Sequence, residues 1–159
     1  MLLLKIAVPT QTLSLCDDDI ILKTYTISSA KNGVGEDYGS EKTPRGWHII
    51  RAKIGEGSPP NAVFRGRRFT GEIYTPALKI QYPERDWILT RILWLSGLEL
   101  GKNRLGKNDT MRRYVYIHGT PDETKLGYPG SKGCIRMNNH DLIELFNSIP
   151  AGTRVLIQE

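Results

Sequence analysis

The sequence predicts a mainly β domain with one clear α-helix, and three observations support this fold class. Short runs of β-branched and aromatic residues recur along the chain, separated by segments rich in Gly, Pro, Asn and Asp. One stretch near the C-terminus carries a clear helical spacing of apolar residues. The chain has 159 residues, 39% hydrophobic and 25% charged, which is typical of a globular domain with its own core. Because no repeat or linker divides it, residues 1–159 are expected to form a single domain.

The N-terminal part is expected to consist of strands joined by polar turns. Its opening apolar run could be mistaken for an export signal, but Lys5 interrupts it and no small-residue cleavage site follows. We therefore expect a first strand there. The predicted strands are Met1–Pro9, Gln11–Leu15, Ile20–Ile27 and Trp47–Ile54, with a hairpin tip at Asp17–Asp19, a surface loop over residues 28–45 and a turn at Thr43–Gly46.

The segment Gly55–Gly71 is predicted to be a long loop, and loops beyond about 12 to 15 residues are uncommon unless they are functional. Its arginines and phenylalanines could form one wall of a groove for an anionic substrate. A solvated hairpin anchored by the two aromatic residues is the alternative interpretation. The residues concerned are Arg65, Arg67, Arg68, Phe64 and Phe69.

The C-terminal part is expected to contain a buried strand, a basic loop, the one helix and a final strand. The most apolar run is too short to span a membrane and should be a buried strand with two core tryptophans. The helix should bury one face, because its apolar residues recur at helical spacing. These predictions cover the strand Trp87–Leu95 with Trp87 and Trp94, the loop 101–111, the helix Asn138–Ile149 with Leu142, Leu145, Phe146 and Ile149 buried, and the strand Thr153–Ile157.

The stretch from His118 to Met137 holds the only combination of residues in the chain suited to covalent chemistry. The preceding Arg113–Ile117 alternates β-branched and aromatic residues, so His118 is expected at a strand end. Cys134 follows a Ser-Lys-Gly turn, where backbone N–H groups lack partners. A thiol becomes a good nucleophile when an imidazole or backbone dipoles help to remove its proton. The two residues are sixteen positions apart, which allows a loop that returns beside the strand end.

Gly133 lets the chain turn sharply because it has no Cβ. It also lets a substrate approach the N–H groups of Gly133 and Cys134, which we expect to form an oxyanion hole. The other cysteine and histidines are expected to be structural: Cys16 as a small strand or turn residue, His48 facing solvent or a neighbour, and His140 exposed. The spacing of these residues offers no metal site.

These motifs resemble the L,D-transpeptidase catalytic domain of the YkuD/ErfK type. The resemblance rests on the His118-Gly-Thr start, the Ser131-x-Gly-Cys-Ile-Arg-Met137 end and the upstream Thr43-Pro-Arg-Gly-Trp-His-Ile-Ile50, and it covers nearly the whole chain. It implies a β-sandwich with the site in a groove at one side. The implied reaction is acyl transfer on peptidoglycan stem peptides without a cofactor: a thioester forms, the terminal D-amino acid leaves, and an amine or water takes the acyl group. It also implies acylation by β-lactams, chiefly carbapenems.

The resemblance assigns a role to each motif residue. Cys134 would be the nucleophile, His118 the general base, and the backbone carbonyl of Gly119 would orient the imidazole. The N–H groups of Gly133 and Cys134 would stabilise the oxyanion. The positions expected to bind substrate are Ser131, Lys132, Arg136 and Tyr116.

Lys132 departs from the family pattern, because many members have a histidine between the serine and the glycine. If that histidine were the essential base, this chain would be impaired in catalysis. If it only helps to bind substrate, a lysine can serve as a hydrogen-bond donor and a positive charge. We favour the second interpretation, because His118, Gly133 and Cys134 are all present.

The net charge of +5 favours acidic partners, such as stem peptides or their soluble precursors, which carry carboxylates or phosphates. Nucleic acid would match the charge, but the basic residues are scattered among acidic ones and no nucleic-acid-binding motif is present, so we do not expect it as a partner. Since no export signal is visible, we expect a cytoplasmic protein, or a periplasmic or cell-wall protein if the chain is a trimmed form.

Three functions stay open from the sequence. The first is an L,D-transpeptidase, or the hydrolytic L,D-carboxypeptidase that uses the same thioester. The second is a sortase-like transpeptidase, which has the same order of His, Cys and Arg but lacks the Ser-x-Gly-Cys-Ile-Arg turn. The third is a catalytically weak peptidoglycan-binding or scaffold protein. We favour the first, because both His118 and Cys134 are present.

Overall fold

Strands dominate the computed structural model, which describes residues 1–159. One longer helix, one short helix and a 3-10 turn at Gly106–Asn108 complete it. The strands are β1 (Leu2–Ala7), β2 (Thr12–Asp17), β3 (Ile20–Ser28), β4 (Gly46–Ile54), β5 (Ala62–Arg65), β6 (Arg68–Ile73), β7 (Ile88–Gly97), β8 (Tyr116–Gly119), β9 (Ile135–Met137) and β10 (Arg154–Gln158), and the helices are α1 (Pro76–Gln81) and α2 (Asn139–Ser148).

The strands form one sheet that closes on itself. Eight strands follow one another in the order β4-β10-β1-β2-β3-β9-β8-β7, and β7 pairs back with β4. The β5–β6 hairpin is attached to the beginning of β7. All pairs are antiparallel except β1 with β10 and β8 with β9. The mainly β prediction is confirmed, and the expected sandwich takes the form of a barrel-like sheet.

The main core is a cluster of 19 buried apolar side chains contributed by most strands of the closed sheet and by α2. A ten-residue helix has little stability of its own, so α2 depends on this packing. Asn138 caps its N-terminus by accepting hydrogen bonds from two backbone N–H groups. The predicted face of the helix is buried as expected, through Leu142, Leu145, Phe146 and Ile149.

β8 lies between the main core and a second, smaller cluster. The segment suited to covalent chemistry lies on the side of the second cluster, because Cys134 packs against it. Val115 and Ile117 enter the main core, whereas Tyr116 packs with residues of β5 and β7 in a smaller cluster. Because successive side chains of a strand point to opposite faces, His118 lies on the same face as Tyr116. Trp94, which is predicted in the core, is only half-buried beside this second cluster.

The segment that is predicted as a long loop contains a hairpin, so the loop prediction is wrong over β5 and β6. The two strands join through Gly66 and Arg67, whose φ values are 55° and 63°. Two consecutive positive φ values are typical of a type I′ turn, whose twist matches that of the flanking strands. The alternative of a hairpin is confirmed, with Phe64 as its buried anchor. Phe69, the second expected anchor, lies 6.0 Å from Phe64 between ring centroids but is itself exposed.

α1 is absent from the sequence predictions. It spans only six residues and buries none of them, so it carries no periodic apolar signal. Its start does follow the usual rules, because the Thr75 hydroxyl accepts the Leu78 N–H at 3.1 Å and Pro76 occupies the first turn. Neither helix has the length and apolar character needed to cross a membrane.

Candidate active site

Cys134 directly precedes β9 and is half-buried. Its Sγ accepts a hydrogen bond from the Tyr116 N–H at 3.3 Å and donates one to the Tyr114 carbonyl oxygen at 3.5 Å. These contacts follow from the parallel pairing of β8 with β9. The thiol is therefore anchored against the backbone of the strand that carries His118.

The turn before Cys134 is held by two buried hydroxyl groups. Ser131 Oγ accepts the Gly133 N–H at 3.2 Å and donates to the Cys134 carbonyl oxygen at 2.5 Å. Thr43 Oγ1 donates to the Gly133 carbonyl oxygen at 3.0 Å and accepts the Ala30 N–H at 2.9 Å. Gly133 has a φ of 127°, which favours glycine. Ser131, expected to bind substrate, therefore acts within the turn that presents the thiol.

Only one of the two N–H groups expected in the oxyanion hole is available to a ligand. The Gly133 N–H already donates to Ser131 Oγ. The Cys134 N–H makes no hydrogen bond within the protein. The expectation for Gly133 is therefore corrected: its N–H is used inside the turn, and only the Cys134 N–H is free to donate to a ligand.

His118 is buried at the end of β8, and its Nδ1 lies 2.6 Å from the Gly119 carbonyl oxygen. A carbonyl oxygen only accepts, so Nδ1 carries the proton of the neutral ring and Nε2 is left to receive one. Gly119 must be glycine, because a Cβ there would lie 2.6 Å from the Leu89 carbonyl oxygen and would also meet Asn139. The contact between His118 and Gly119 is the one expected from the sequence.

A bulge in β7 lies opposite the junction of His118 and Gly119 and leaves Thr90 without a partner on β8. Thr90 has a φ of 77°, which is unusual for a β-branched residue and stores backbone strain. Its hydroxyl accepts the Asn61 N–H at 3.0 Å and donates to Asn139 Oδ1 at 2.7 Å. These bonds hold the strained conformation beside the carbonyl that orients His118.

The two reactive side chains lie on one face of the sheet, on neighbouring parallel strands. Cys134 Sγ contacts the backbone of Tyr116, and His118 is two residues further along the same strand. Residues two apart on a strand share a face, so the imidazole points to the side on which the thiol lies. The structure therefore places Cys134, His118 and the carbonyl of Gly119 at one end of the β8–β9 pair, and the roles expected of them from the sequence stay predictions.

Burial controls the titration of both reactive groups. Burial raises the pKa of the Cys134 thiol to about 12. The hydrogen bond from the Tyr116 N–H favours the thiolate and lowers this pKa, but its effect is smaller than that of burial. Burial also lowers the pKa of His118. The nearby Asp86 carboxylate raises the pKa of both groups. In the resting site both groups are therefore neutral, and the proton must move as attack on the substrate begins.

A groove of about 550 Å³ opens beside Cys134. Aromatic and aliphatic side chains line part of it, including Tyr116, which is expected to bind substrate. Its charged side chains are mostly basic, so the groove is suited to an anionic ligand. These residues are Arg67, Arg112, Arg113 and Lys132, against the carboxylates Asp86 and Glu41.

Arg67 is the only arginine of the β5–β6 hairpin that lines the groove. Its guanidinium carbon lies 4.5 Å from the Tyr114 ring centroid and 5.0 Å from that of Trp94. Its Nη1 donates to the Tyr116 hydroxyl at 3.2 Å. Of the three arginines predicted to form a groove wall, only Arg67 does so, and three aromatic residues hold it in place. The other two arginines of the hairpin are exposed outside the groove.

Arg136 and Lys132, both expected to bind substrate, occupy different places. Lys132 is exposed on the groove. Arg136 lies outside the groove and lines a smaller cavity, with its Nη2 3.6 Å from Asp86 Oδ1. No sequence pattern indicates that Asp86 lies at the groove, because it belongs to no motif and only precedes an apolar strand.

Arg113 holds the loop of residues 35–42, which forms one side of the groove, and no sequence pattern indicates this role. Its guanidinium donates to the Lys42 carbonyl oxygen at 2.6 Å, to the Gly35 carbonyl oxygen at 3.2 Å and to Ser40 Oγ at 3.3 Å. Desolvation lowers the pKa of this guanidinium. The loop is thereby held against Gly133. A Cβ added at Gly133 would have the Lys42 carbonyl oxygen as its nearest neighbour.

The remaining cysteine and histidines lie outside the site. His48 is buried, with Nδ1 3.0 Å from the Gly46 carbonyl oxygen and Nε2 2.9 Å from Thr110 Oγ1, so it faces neighbours as expected. His140 is exposed and Cys16 is a buried free cysteine, both as expected.

The closed sheet carries a thiol and an oriented imidazole on one face, at the ends of neighbouring strands. A family model described as the L,D-transpeptidase catalytic domain, YkuD, matches residues 3–157. The chain therefore belongs to the L,D-transpeptidase catalytic-domain family, and the resemblance seen in the sequence is confirmed. This membership supports an enzyme of that kind and leaves no support for the sortase-like alternative.

Curated relatives carry the same family name. The chain is 31% identical over 137 residues to "Probable L,D-transpeptidase ErfK/SrfK" of Salmonella typhimurium, covering 84% of this chain and 38% of that protein. It is 54% identical over 47 residues to "Putative L,D-transpeptidase YqjB" of Bacillus subtilis, covering 30% of this chain and 27% of that protein. The chain thus spans well under half the length of these relatives.

Solved structures share the fold over nearly the whole chain. L,D-transpeptidase 3 from Mycobacterium tuberculosis in complex with a faropenem-derived adduct has a TM-score of 0.61 at 15% identity, covering 99% of this chain and 60% of that chain. LdtMt1 in complex with imipenem has a TM-score of 0.59 at 16% identity, covering 99% of this chain and 58% of that chain. At these identities the likeness shows the fold.

Proposed function

We propose that this chain is a cysteine acyltransferase that forms a thioester with peptidoglycan stem peptides and passes the acyl group to an amine. The observation that carries this proposal is the position of Cys134 and His118 on one sheet face, beside a groove with a mostly basic lining. Family membership supports the same chemistry. The oriented His118 argues against a binding module that merely keeps the fold, because a scaffold needs no base held by Gly119.

Acylation follows from the groups in place. His118 Nε2 takes the thiol proton while Sγ attacks the carbonyl carbon before the terminal D-amino acid. The negative oxygen that develops is stabilised by the Cys134 N–H. The C–N bond then breaks, the proton on His118 passes to the leaving amine, and a thioester remains on Cys134.

The basic groove gives the substrate its orientation. Stem peptides carry carboxylates, and Arg67 and Arg113 lie on the groove with no carboxylate as a salt-bridge partner. Arg67 is held by aromatic rings, which limits its motion and lowers the entropic cost of binding an anion. Deacylation by water instead of an amine would give an L,D-carboxypeptidase, and the same acyl-enzyme serves both outcomes.

The first test is covalent labelling by a β-lactam. The printed names of two structural neighbours describe complexes with imipenem and with a faropenem-derived adduct. We expect intact-mass spectrometry to show one imipenem adduct on the wild type and on Cys16→Ala, and none on Cys134→Ala. The Cys16→Ala variant is the matched control, because it removes the only other thiol.

A second measurement identifies the reaction. Incubation with a tetrapeptide muropeptide should give a cross-linked dimer if an amine is the acceptor, and tripeptide alone if water is. Absence of any imipenem adduct on the wild type, together with unchanged muropeptide, would overturn the proposed function.

A further inference from the structure

Arg113 lies beside the turn that presents the thiol. A Cβ added at Gly133 would lie 3.9 Å from Arg113 Nη2, so the guanidinium is close to the residue before Cys134. Tyr114, the residue after Arg113, accepts a hydrogen bond from Cys134 Sγ at its carbonyl oxygen, at 3.5 Å. Arg113 and Cys134 also line the same groove. The guanidinium therefore belongs to the immediate surroundings of the thiol.

The positive charge of Arg113 is not neutralised by a carboxylate. Its hydrogen bonds go to two carbonyl oxygens and one hydroxyl oxygen of the loop of residues 35–42, and all three are neutral. Of the two acidic side chains that act on it from a distance, Glu36 is already paired with Arg45 at 3.0 Å, and Asp37 is exposed. A guanidinium keeps its charge in proteins, even where desolvation lowers its pKa as it does here. The loop thus holds a full positive charge in place.

The other charged groups near Cys134 leave this charge uncompensated. Burial raises the pKa of the Cys134 thiol; Asp86 adds to the rise, whereas Arg136 and Arg113 oppose it. Asp86 and Arg136 lie 3.6 Å apart as an ion pair, so their effects on the thiol largely cancel. The buried His118 is neutral in the resting site. The groove has further titratable side chains that are not among the main causes of this shift, namely Glu41, Arg67, Arg112, Tyr114 and Lys132.

The turn itself offers little to a developing negative charge. The Gly133 N–H is used by Ser131 Oγ, which leaves the Cys134 N–H as the free backbone donor of the turn. Sites of acyl transfer usually direct more than one donor or positive charge at the negative oxygen. A fixed cation acts over several ångströms in a partly buried site, because the local dielectric constant is lower than that of water. Arg113 is placed to supply this missing stabilisation.

We propose that Arg113 is a positioning residue of the site, which holds the loop of residues 35–42 beside Gly133 and stabilises the negative charge that develops at Cys134. The effect on acylation rests on the proposed function, whereas the effect on the thiol is measurable without any acyl transfer. The two roles depend on each other, because the loop oxygens that Arg113 holds also keep its guanidinium beside the turn.

Alkylation by iodoacetamide, which is uncharged, separates this role from two simpler ones. In a Cys16→Ala background, Arg113→Gln should slow alkylation of Cys134 by roughly tenfold near pH 8 and move the rate profile to higher pH, because the thiolate loses a stabilising charge. If Arg113 only held the loop, its loss would expose the thiol to water and speed alkylation. If it only bound a carboxylate of the ligand, the rate with an uncharged reagent would not change.

Two control variants keep the charge beside the thiol. Arg68→Gln makes the same substitution at an exposed arginine outside the groove and should leave the profile unchanged. Ser40→Ala removes one hydrogen bond between the loop and Arg113, and it should also keep the wild-type profile. Urea denaturation of each variant establishes that folded proteins are compared.

The conservative variant Arg113→Lys decides the question even if Arg113→Gln does not fold. A lysine keeps the positive charge but cannot reproduce the planar set of donors that holds the loop. Its alkylation profile should therefore stay close to that of the wild type. A profile that moves to lower pH in Arg113→Lys would show that the loop contacts, and not the charge, control the thiol.

Imipenem acylation tests the catalytic consequence. Arg113→Gln should lower the maximal rate of adduct formation on Cys134 by about tenfold or more, because the negative charge develops in the transition state, and Arg68→Gln should acylate at the wild-type rate. An Arg113→Gln alkylation rate equal to or above that of the wild type would overturn the inference, and so would an equal slowing in Arg68→Gln. Neither result affects the proposed function as long as the adduct forms. A missing adduct on the wild type would remove the proposed function, and the alkylation profiles would still decide the role of Arg113.

Discussion

Two opposing effects act on the thiol of Cys134: burial favours the protonated thiol, and a backbone hydrogen bond favours the thiolate. Burial raises the pKa of its thiol to about 12, yet the Tyr116 N–H donates to the sulfur at 3.3 Å and favours the thiolate. Such a thiol stays protonated until a substrate carbonyl is in place and His118 can take the proton. We therefore expect slow reaction with small electrophiles from solvent and fast reaction with ligands that fill the groove.

The rate at which iodoacetamide alkylates Cys134 should keep rising beyond about pH 9, because only the thiolate reacts and the raised pKa keeps its fraction small. A Cys16→Ala background reports on Cys134 alone, and mass spectrometry of the modified fraction gives the rate. Asp86→Asn in that background should move the profile to lower pH, because the carboxylate raises the pKa of the thiol. A rate that becomes constant below about pH 8 would instead reveal a preformed ion pair of thiolate and imidazolium.

At the residue scale, the sequence singles out side chains suited to covalent chemistry and misses those that hold them in position. His118 and Cys134 stand out because few side chains can act as base and nucleophile. Thr43 reaches Gly133 across 90 residues of sequence, and no local pattern reports such a contact. Asp86 also has no sequence signal, because the two cavities that it lines exist only after folding.

At the scale of elements, the start of α2 and the bulge of β7 together support the backbone beside His118. Asn139, the first residue of α2, is buried and donates to the Thr120 carbonyl oxygen at 2.9 Å and to Asn61 Oδ1 at 3.0 Å. It also accepts from Thr90 in the bulge. Removing this amide would leave several buried polar groups unpaired beside Gly119, which is costly.

Substitutions at two neighbouring asparagines distinguish the support of the backbone beside His118 from ordinary helix capping. Asn138→Ala should lower the free energy of unfolding by about 1 kcal/mol, the usual cost of a lost N-cap, and leave the rate of imipenem acylation unchanged. Asn139→Ala should lower it by about 2 to 4 kcal/mol and slow acylation on the order of tenfold, because the carbonyl that orients His118 loses its support. Urea denaturation and adduct formation followed by mass spectrometry measure both effects. Equal acylation rates in the two variants would contradict this assignment.

Elements with a strong local signal are the ones that the sequence predicts. α2, β4 and β7 have clear periodicity or long apolar runs, and the structure confirms them. The β5–β6 hairpin is predicted only as an alternative to a loop, because its turn is Gly66-Arg67 instead of the usual Asn-Gly or Asp-Gly. Aromatic contacts and a hydrogen bond to Tyr116 hold Arg67 in this turn, and those contacts come from distant parts of the chain.

At the scale of the whole molecule, folding creates features that no segment contains. The parallel pair of β1 and β10 joins the two ends of the chain, and the pair of β4 and β7 closes the sheet. The net charge of +5 is scattered along the sequence, yet the fold gathers four cationic side chains on one groove. The composition therefore predicts an acidic partner but cannot tell where it binds.

The buried His48 links the stability of the whole fold to pH. It lies on β4, which pairs with both β10 and β7, and its ring contacts Thr110 and the Gly46 carbonyl. Burial lowers its pKa to about 4, although the Gly46 carbonyl opposes the shift. An unfolded histidine has a pKa of about 6.5, so between these values the unfolded state binds more protons than the folded state. Stability is therefore lost as the pH falls from about 6.5 to about 4.

We expect this loss to amount to roughly 3 kcal/mol at the acidic end of the window, since each unit of pKa shift corresponds to about 1.4 kcal/mol. His48→Gln removes the titrating group, so its unfolding free energy should fall less steeply between about pH 7 and pH 4 than that of the wild type. His140→Gln makes the same change at an exposed histidine and should keep the wild-type slope. Comparing slopes from urea denaturation avoids any offset caused by repacking around glutamine. The lowered pKa of His118 acts in the same direction, so a smaller dependence of stability on pH should persist in His48→Gln. A slope in His48→Gln equal to that of the wild type would show that His48 does not couple protons to folding.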